Sequence, residues 1–548
     1  MYPFWTLTNT GVVQINARAL VSFLGKRGFG QFQLVDGRTA TTELFKNEDG
    51  VLQIHNASSL RRWLIEFVEQ TSSMENSDGS TTEISEGERF GVSDKLVKIT
   101  TSTLDNYCKS LLIWSESGLH GTKKLPMFRD DQENCYIPFK NGVVHITAQK
   151  IEMLGSDILE GKGCIWESKI LQHNMEVQDT YIATQPSPFR DFVHYALKID
   201  VKPKTSDNDR DEGTDDGRYK AQKDAFETGF GYLVHAYQPP DESKIVVFID
   251  VDSSPERTEG GNGKSLSMDM VQYFRETAFV DGKSFRKALS DSARFNFSNV
   301  KVDTGFVYIN DLNPDFDLTQ LFSIITDDMT IEGKGTNKFV IPRDRKPKMG
   351  ITTNYVITGI GGSFERRQHI VEFGNFWNQC NQLKIKPQSI IGKLLGKMGF
   401  NTEDDWISFY NYGFHCVQKY LQNGLMAVEN ASYQKKTIIA SIEGPNGTGE
   451  IVEWIEEYIT NDRKSHKDDG VEITEFYQLF TKEMIPTIVQ EWDVNKFLGA
   501  VFNYVKYDVD LEWNPHLSNK GSTRSNRRWR KGSRGEQQEF VRITHTDD

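Results

Sequence analysis

At 548 residues the chain is long enough for several domains with cores of their own. Its 37% hydrophobic and 26% charged residues suit a globular protein, and no apolar run is long enough to span a bilayer. A net charge of −13 does not advertise a nucleic-acid binder, although a basic lining confined to one channel would be enough.

The opening MYPFWTLTNTG is not a signal peptide. Cys108, Cys135, Cys164, Cys380 and Cys416 lie far apart with no Cys-x-x-Cys, which argues for a reducing, cytoplasmic compartment and against a zinc site. In chain order, Val12–Ile15 is strand-like and Ala17–Leu24 helix-like, and Leu60, Trp63, Leu64 and Phe67 recur at helical spacing. This gives an α+β domain over 1–70, followed by a polar, acidic stretch without periodicity over 71–92, read as a linker or disordered insert. Residues 93–235 form the next region. Within it, Asn141-Gly142 predicts a hairpin turn between Tyr136–Phe139 and Val143–Ile146, and Pro138 pushes the first strand to a sheet edge. Tyr219–Tyr237 is helix-like. From Lys244 the pattern becomes apolar strands alternating with helices, an α/β layer over 236–395. Strands are expected at Ile245–Asp250, Gly305–Asn310, Lys338–Ile341, Met349–Thr353 and Ile370–Phe373. Residues 396–548 combine an aromatic-rich helix, Trp406–Leu425, with a small terminal domain.

The α/β layer opens on the stretch with the most chemistry. Gly260, Gly261, Asn262, Gly263, Lys264, Ser265 and Leu266 follow an apolar strand and precede Met270, Val271 and Phe274 at helical spacing. Strand, glycine-rich turn and Lys-Ser at a helix start make a phosphate cradle. Backbone N–H groups converge on phosphate oxygens, Lys264 reaches the β- and γ-phosphates, and Ser265 sits on Mg²⁺. The strict pattern fails only at Thr258, where its first glycine belongs. Hydrolysis needs more: a carboxylate for Mg²⁺, a polar group for water and a positive charge for the γ-phosphate. Asp311 ends the strand Phe306–Asn310, Asn354 ends Gly350–Thr353, and Arg366 and Arg367 precede Ile370–Phe373. Singly these are a turn former, a strand cap and surface charges; together and in this order they form a constellation.

GGNGKS, VYINDL, KPKMGITTN and FERRQHIVEF, in that order and spacing, resemble the ATPase core of the superfamily 3 helicases. These are AAA+-related motors of small viruses, phages and plasmids, and the likeness is to the phage primase-helicase type. It extends weakly through PFKNGVV and ETGFGYLVHAY upstream and DDWISFYNYGFHCVQKYLQNGL downstream. The resemblance implies a P-loop AAA+-like α/β core between mixed α+β N-terminal domains, with 93–235 a collar or loading region, and a small C-terminal winged-helix-like domain. It also implies ATP and Mg²⁺ as cofactors, and a homo-hexameric ring drawing single-stranded DNA through its channel. Other replication proteins would be partners, with no membrane and, for a viral source, the host cytoplasm as location. Lys264 and Ser265 would be Walker A, Asp311 Walker B, Asn354 the sensor, and Arg366 or Arg367 the arginine finger.

A DNA-contacting hairpin is implied between Walker B and the sensor, where Lys334 and Lys338 flank a glycine-rich turn as phosphate contacts. One position departs from the pattern: Asn310 stands where many relatives carry a second acid, and an amide cannot take up a water's proton. Three further features have simpler readings beside the functional one. Asp250-Val251-Asp252 imitates a two-metal carboxylate pair but has no companion primase motif. Gly444–Gly449 imitates a second P-loop, with Glu450 where lysine is needed. The basic segment Lys520–Arg534, with Arg527, Arg528, Arg530 and Lys531 around Trp529, suits nucleic-acid backbone or is a solvated loop. A catalytically weak DNA-binding scaffold and a small-molecule kinase remain as the rival functions.

Overall fold

The computed structural model describes residues 4–33, 42–75, 80–116, 118, 121–159, 162–178, 187–199, 201, 203, 216–239, 242–251, 260–285, 296–301, 303–312, 316, 318–332, 339–355, 366–396, 399–428, 448–460, 471–507, 511–513, 528–531, 537–541 and 543–545. At its centre, Ile245–Asp250 form strand β1, buried at every position. An unbroken apolar run is what a strand covered on both faces requires. β1 belongs to a five-stranded sheet with Thr277–Asp281 (β2), Phe306–Asn310 (β3), Lys348–Thr352 (β4) and Gln368–Phe373 (β5), in the order β2-β3-β4-β1-β5. Every pairing is parallel. The chain leaves β1 for the far edge, works back through β3 and β4, and then crosses β1 to add β5. The carboxyl ends of β3, β4 and β1 therefore lie side by side, where open parallel sheets place their ligands.

Alternation along β1 sends Ile245, Val247 and Ile249 to one face and Val246 and Phe248 to the other. The first face packs against Phe285, Phe316, Leu321 and Ile325. The second lies under helices Asp216–Val234 (α1) and Glu403–Asn423 (α3), through Phe226, Phe230, Phe409 and Phe414. A Cβ at Gly231 of α1 would meet the Cys416 carbonyl oxygen of α3 at 2.1 Å, so glycine sets how closely these helices approach. Lys419 of α3 locks their register by bridging Asp224 and Glu227 of α1, at 2.5 Å each. The helix expected after the glycine-rich turn is shorter than its apolar spacing implies. Lys264–Asp269 (α2) ends early and a 3₁₀ turn, Met270–Tyr273, completes it. Met270, Val271 and Phe274 are buried all the same, and Leu266 is exposed.

The expected runs around 245, 305, 349 and 370 are β1, β3, β4 and β5. Phe339–Ile341 instead pairs with Met329–Ile331 as a separate antiparallel ribbon. β2 was not foreseen. Only Ala278 and Val280 of its five residues are buried, too short an alternation to stand out beside Gly282.

Upstream, the stretch 71–92 carries structure rather than serving only as a linker. Ser73–Glu75 pairs with Thr81–Glu83, and a helix, Glu86–Lys98, begins inside it. Met74, Ile84 and Val92 join one core with Phe4, Leu20, Leu64 and Leu104, and the Trp5 indole donates to Glu88 Oε1 at 2.8 Å. A few well-placed apolar residues suffice because the rest of that core comes from elsewhere. The hairpin Cys135–Phe139/Gly142–Ile146 forms as expected, with the Pro138 strand at the edge of its sheet. Downstream, helices Thr448–Thr460, Ile473–Glu483 and Val494–Tyr507 share a core of their own. Strand Arg528–Lys531 pairs there with Gln537–Val541, which also pairs with Val471–Glu472. Glu450 lies in the first turn of the helix Thr448–Thr460. Among the described residues no helix is long and apolar enough to cross a membrane.

Candidate functional site

The glycine-rich turn leads from the carboxyl end of β1 into α2. Gly263 caps α2 at φ +93°, a left-handed conformation that side chains rarely adopt. A Cβ there would also come within 2.7 Å of the Phe192 ring, which stacks on Trp377 at 4.9 Å. The turn is thus pressed against an aromatic wall, and its free side is the first turn of α2. There the N–H groups of Lys264, Ser265 and Leu266 have no carbonyl four residues back within the helix. Asn262 is buried in this turn, and its Oδ1 has no hydrogen-bond partner among the described residues.

Lys264 is only 5% exposed. Its ammonium contacts the Asp250 carboxylate at the end of β1 and donates to Asn354 Oδ1, just beyond β4, at 2.8 Å. Burial pushes its pKa below the ordinary lysine value, and the Asp250 carboxylate works against that shift. One lysine therefore ties together the turn, β1 and the loop after β4.

A second knot ties the same helix to β3. Asn310 Oδ1 accepts three hydroxyl hydrogen bonds: from Ser265 at 3.1 Å, from Tyr308 at 2.8 Å and from Thr352 at 2.9 Å. Tyr308 and Asn310 share a face of β3 because they are two residues apart. Asp311 follows at φ +56°, a left-handed position that aspartate tolerates better than most residues. Its N–H donates to Thr352 Oγ1 at 3.2 Å, and its carboxylate pairs with Lys283 at 2.8 Å. Lys283 lies just after β2 and is exposed; the hydrogen bond to Asp311 raises its pKa.

Lys264, Ser265, Asn310, Asp311 and Asn354 therefore meet at one edge of the sheet. Arg366 and Arg367 do not join them. The Arg367 carbonyl accepts the N–H of Ile245, the first residue of β1, at 2.8 Å, which puts both arginines at the amino edge. The length of a six-residue strand, roughly 20 Å, separates that edge from Asp250. The Arg367 guanidinium lies 5.1 Å from the centroid of the Phe322 ring, and Arg366 is exposed. Thr258, Asp252, Lys334, Lys338 and Arg527 lie outside the described residues. Arg528, Arg530 and Lys531 lie on the strand Arg528–Lys531.

Asp250, Lys283, Tyr308 and Thr352 complete the cluster without having been expected there. Parity with Asn310 pointed to Tyr308. For Lys283 there was no signal, since β2 itself was unseen. Asp250 was considered only as half of a metal-binding pair, whereas its carboxylate holds the Lys264 ammonium.

As donors, a serine hydroxyl and a carboxylate are hard oxygen ligands of the kind Mg²⁺ takes. Ser265 and Asp311 thus fit a magnesium–phosphate group at this edge, and Lys264 and the first turn of α2 fit its phosphates.

No protein-family model matches the chain, and no curated protein matches it. Among solved structures it is similar to the A form apo structure of the NrS-1 C-terminal region (305–718), at 12% identity over 95% of this chain and 98% of that one, with a TM-score of 0.39. A second structure of the same region gives 13% identity and a TM-score of 0.37. The JCV helicase bound to a thiazolopyridine acetamide gives 9% identity over 43% of this chain and 65% of that one, with a TM-score of 0.22. At TM-scores this low the likenesses carry no argument.

Proposed function

We propose that the chain is an ATP-dependent DNA helicase of the superfamily 3 kind, working as a ring that translocates on one DNA strand. The observation that carries this reading is the convergence on Lys264. A buried ammonium held between Asp250 and Asn354 stands where β- and γ-phosphates would lie against the first turn of α2. Bound there, Mg²⁺ would neutralise phosphate charge, with Ser265 and Asp311 as its protein ligands. Asn354, already in contact with Lys264, would orient the attacking water or the γ-phosphate. Arg366, or Arg367 beside it, is too far from its own cradle and would serve that of a neighbouring subunit. This is the arrangement a homo-hexameric ring needs and a monomeric small-molecule kinase does not.

The antiparallel ribbon between β3 and β4 supports a DNA-contacting role for the segment joining its strands, whose Lys334 and Lys338 lie outside the described residues. The helices and hairpin of the last hundred residues support a winged-helix-like adaptor, with Arg527, Arg528, Arg530 and Lys531 against the DNA backbone.

One observation favours a second reading, a DNA-binding ring with weak ATPase. Asn310 Oδ1 already accepts three hydroxyl donors, so the oxygen that would hold a water is committed to Ser265, Tyr308 and Thr352. Steady-state ATPase of the full chain, with and without single-stranded DNA, tests both. A motor shows turnover that DNA stimulates. Slow turnover indifferent to DNA, with DNA binding intact, selects the scaffold. ADP formation that depends on a small acceptor, with the phosphoryl group recovered on that acceptor, rejects both.

A further inference from the structure

At the opposite, amino edge of the parallel sheet lies a cavity that the cradle does not use. Its walls come from the turn Glu167–Lys169, the segment carrying Arg129, the chain just past α1, the amino end of β3 and the turn Arg343–Arg345 before β4. A hydrogen bond from Ser168 Oγ to Asp303 Oδ2, at 2.7 Å, fastens the first of these walls to the last residues before β3.

Five cations line this cavity, Arg129, Lys169, Arg275, Arg345 and Lys346, against three carboxylates, Glu116, Asp130 and Asp344. In a chain of net charge −13, a local surplus of positive charge is the reverse of the whole. The way the charges pair sharpens the point. Asp130 is committed to Arg275 at 2.9 Å and to the N–H groups of Tyr136 and Ala236, both at 2.8 Å. Lys346 is capped by the carbonyls of Ile324 and Asp327. Glu116 stands between the guanidiniums of Arg129 and Arg345, the second at 2.8 Å, and Asp344 lies 3.7 Å from Arg345 Nε.

Lys169 has no such partner. Among the described residues its ammonium forms neither a hydrogen bond nor an ion pair. Burial, with Arg129 and Arg275 pushing the same way against Asp130 and Asp303, lowers its pKa to about 8. A half-buried cation with no direct partner, set among other cations, is kept at some cost to stability, and an anionic ligand removes that cost. The same cavity is lined by the half-buried rings of Tyr136, which stacks on His145 at 4.8 Å, and Tyr237, and by Pro342 and Ile341, apolar surfaces suited to a flat ring.

We propose that this cavity is a second binding site, for a nucleoside 5′-phosphate. The phosphate lies against Lys169, Arg129 and Arg345, and the base lies against Tyr136 and Tyr237. The guanidiniums present fixed forks to phosphate oxygens, and Lys169 supplies the charge that no carboxylate has claimed. The ligand is a free nucleotide or the phosphorylated 5′ end of a DNA strand, which offer the same chemistry. The site is independent of the cradle reading, because no residue of the glycine-rich turn lines it.

The test is calorimetric titration of the full chain with dAMP, which lacks the β- and γ-phosphates a cradle would need. Binding is expected in the wild type and in Lys264→Ala alike. Lys169→Met should weaken it about tenfold or more, the loss of one charge-assisted hydrogen bond, while Lys169→Arg keeps most of it. Lys169→Met should at the same time raise the thermal midpoint of the ligand-free chain, since the unpaired charge is gone. Tyr237→Ala, at a half-buried ring, should weaken dAMP without moving that midpoint far, and it decides the matter if Lys169→Met does not fold. Competition identifies the source. If a 5′-phosphorylated oligonucleotide displaces dAMP and its 5′-hydroxyl twin does not, the ligand is a strand end; if neither does, it is a free nucleotide. The proposal is overturned if dAMP does not bind, if Lys264→Ala abolishes the binding, or if Lys169→Met and Tyr237→Ala both leave it unchanged.

Discussion

The two edges of the central sheet treat a lysine in opposite ways, one buried and one half-buried. At the carboxyl edge, Lys264 is nearly inaccessible yet fully met, by Asp250 on one side and Asn354 on the other. At the amino edge, Lys169 faces a cavity shared with arginines and has no acceptor among the described residues. Both ammonium groups are pushed down by burial; the Asp250 carboxylate touches Lys264 and opposes the push directly, whereas Asp130 and Asp303 oppose it at Lys169 without contact. The difference separates two kinds of site. A cradle whose lysine is pre-paired keeps its shape while empty, and a ligand exchanges one set of partners for another. A pocket with an uncompensated cation stores a cost that only a ligand relieves. On the functions proposed above, the first would suit repeated turnover and the second occupancy.

The largest effect is expected from breaking the paired edge. Lys264→Ala should remove ATP turnover altogether, since no other mobile cation of the cluster reaches the turn; Lys283 is engaged with Asp311. The substitution also takes the ammonium from a buried carboxylate, which costs about 3 to 5 kcal/mol when one partner of a buried pair is lost. Asp250→Asn combined with Lys264→Ala should recover most of that stability, as read by denaturant unfolding, and none of the turnover. Near wild-type ATPase in a folded Lys264→Ala chain would remove the basis for the cradle.

Next in size is a test that uses the distance between the edges. Arg366 lies about one strand length from its own cradle, so any role in turnover must be exercised on another subunit. Arg366→Ala should retain nucleotide affinity and lose turnover by about 10³-fold, the scale of an arginine supplied in trans. Mixing these chains with Lys264→Ala chains should restore activity, because some interfaces then combine an intact cradle with an intact arginine. Mixed assemblies with no recovery, once subunit exchange is verified, would confine each site to its own chain. The same experiment on Arg367→Ala assigns the role between the neighbours.

How much of this was legible beforehand follows from the range of the interactions. The glycine-rich turn between β1 and α2 was readable because its glycines, lysine and serine are contiguous and their spacing is dictated by a strand-turn-helix. β1, β3, β4 and β5 were readable because strands buried on both faces are written as apolar runs. What failed was whatever depends on a partner far along the chain. β2 is an edge strand with two buried residues, so Lys283 beside it had no context. The hairpin inside 71–92 is held by a core drawn from Phe4 to Leu111, which no local window displays. The turn at Lys169 reads as an ordinary charged tripeptide, ESK. Its isolation exists only because Arg129, Arg275 and Arg345 arrive from three other parts of the chain.

The smallest effect expected at the carboxyl edge is also the most discriminating about Asn310. Tyr308 is 3% exposed, and its hydroxyl donates to Asn310 Oδ1 at 2.8 Å, with Thr352 Oγ1 at 3.3 Å and the Ser265 carbonyl at 3.4 Å. Tyr308→Phe keeps the ring against Phe279 and Phe306 and removes only the hydroxyl. Asn310 Oδ1 would still accept from Ser265 and Thr352, so no acceptor is orphaned. The loss should therefore be that of one ordinary hydrogen bond, about 1 kcal/mol in denaturant unfolding. If Asn310 only anchors Ser265 to β3, ATP turnover should change little, because the anchor survives on its remaining donors. If a scarcity of acceptor capacity at Asn310 is what slows hydrolysis, the freed lone pair should raise the rate instead. A steep fall in turnover, with stability and nucleotide affinity near wild type, would reject both and make the Tyr308 hydroxyl itself a contributor to the reacting geometry.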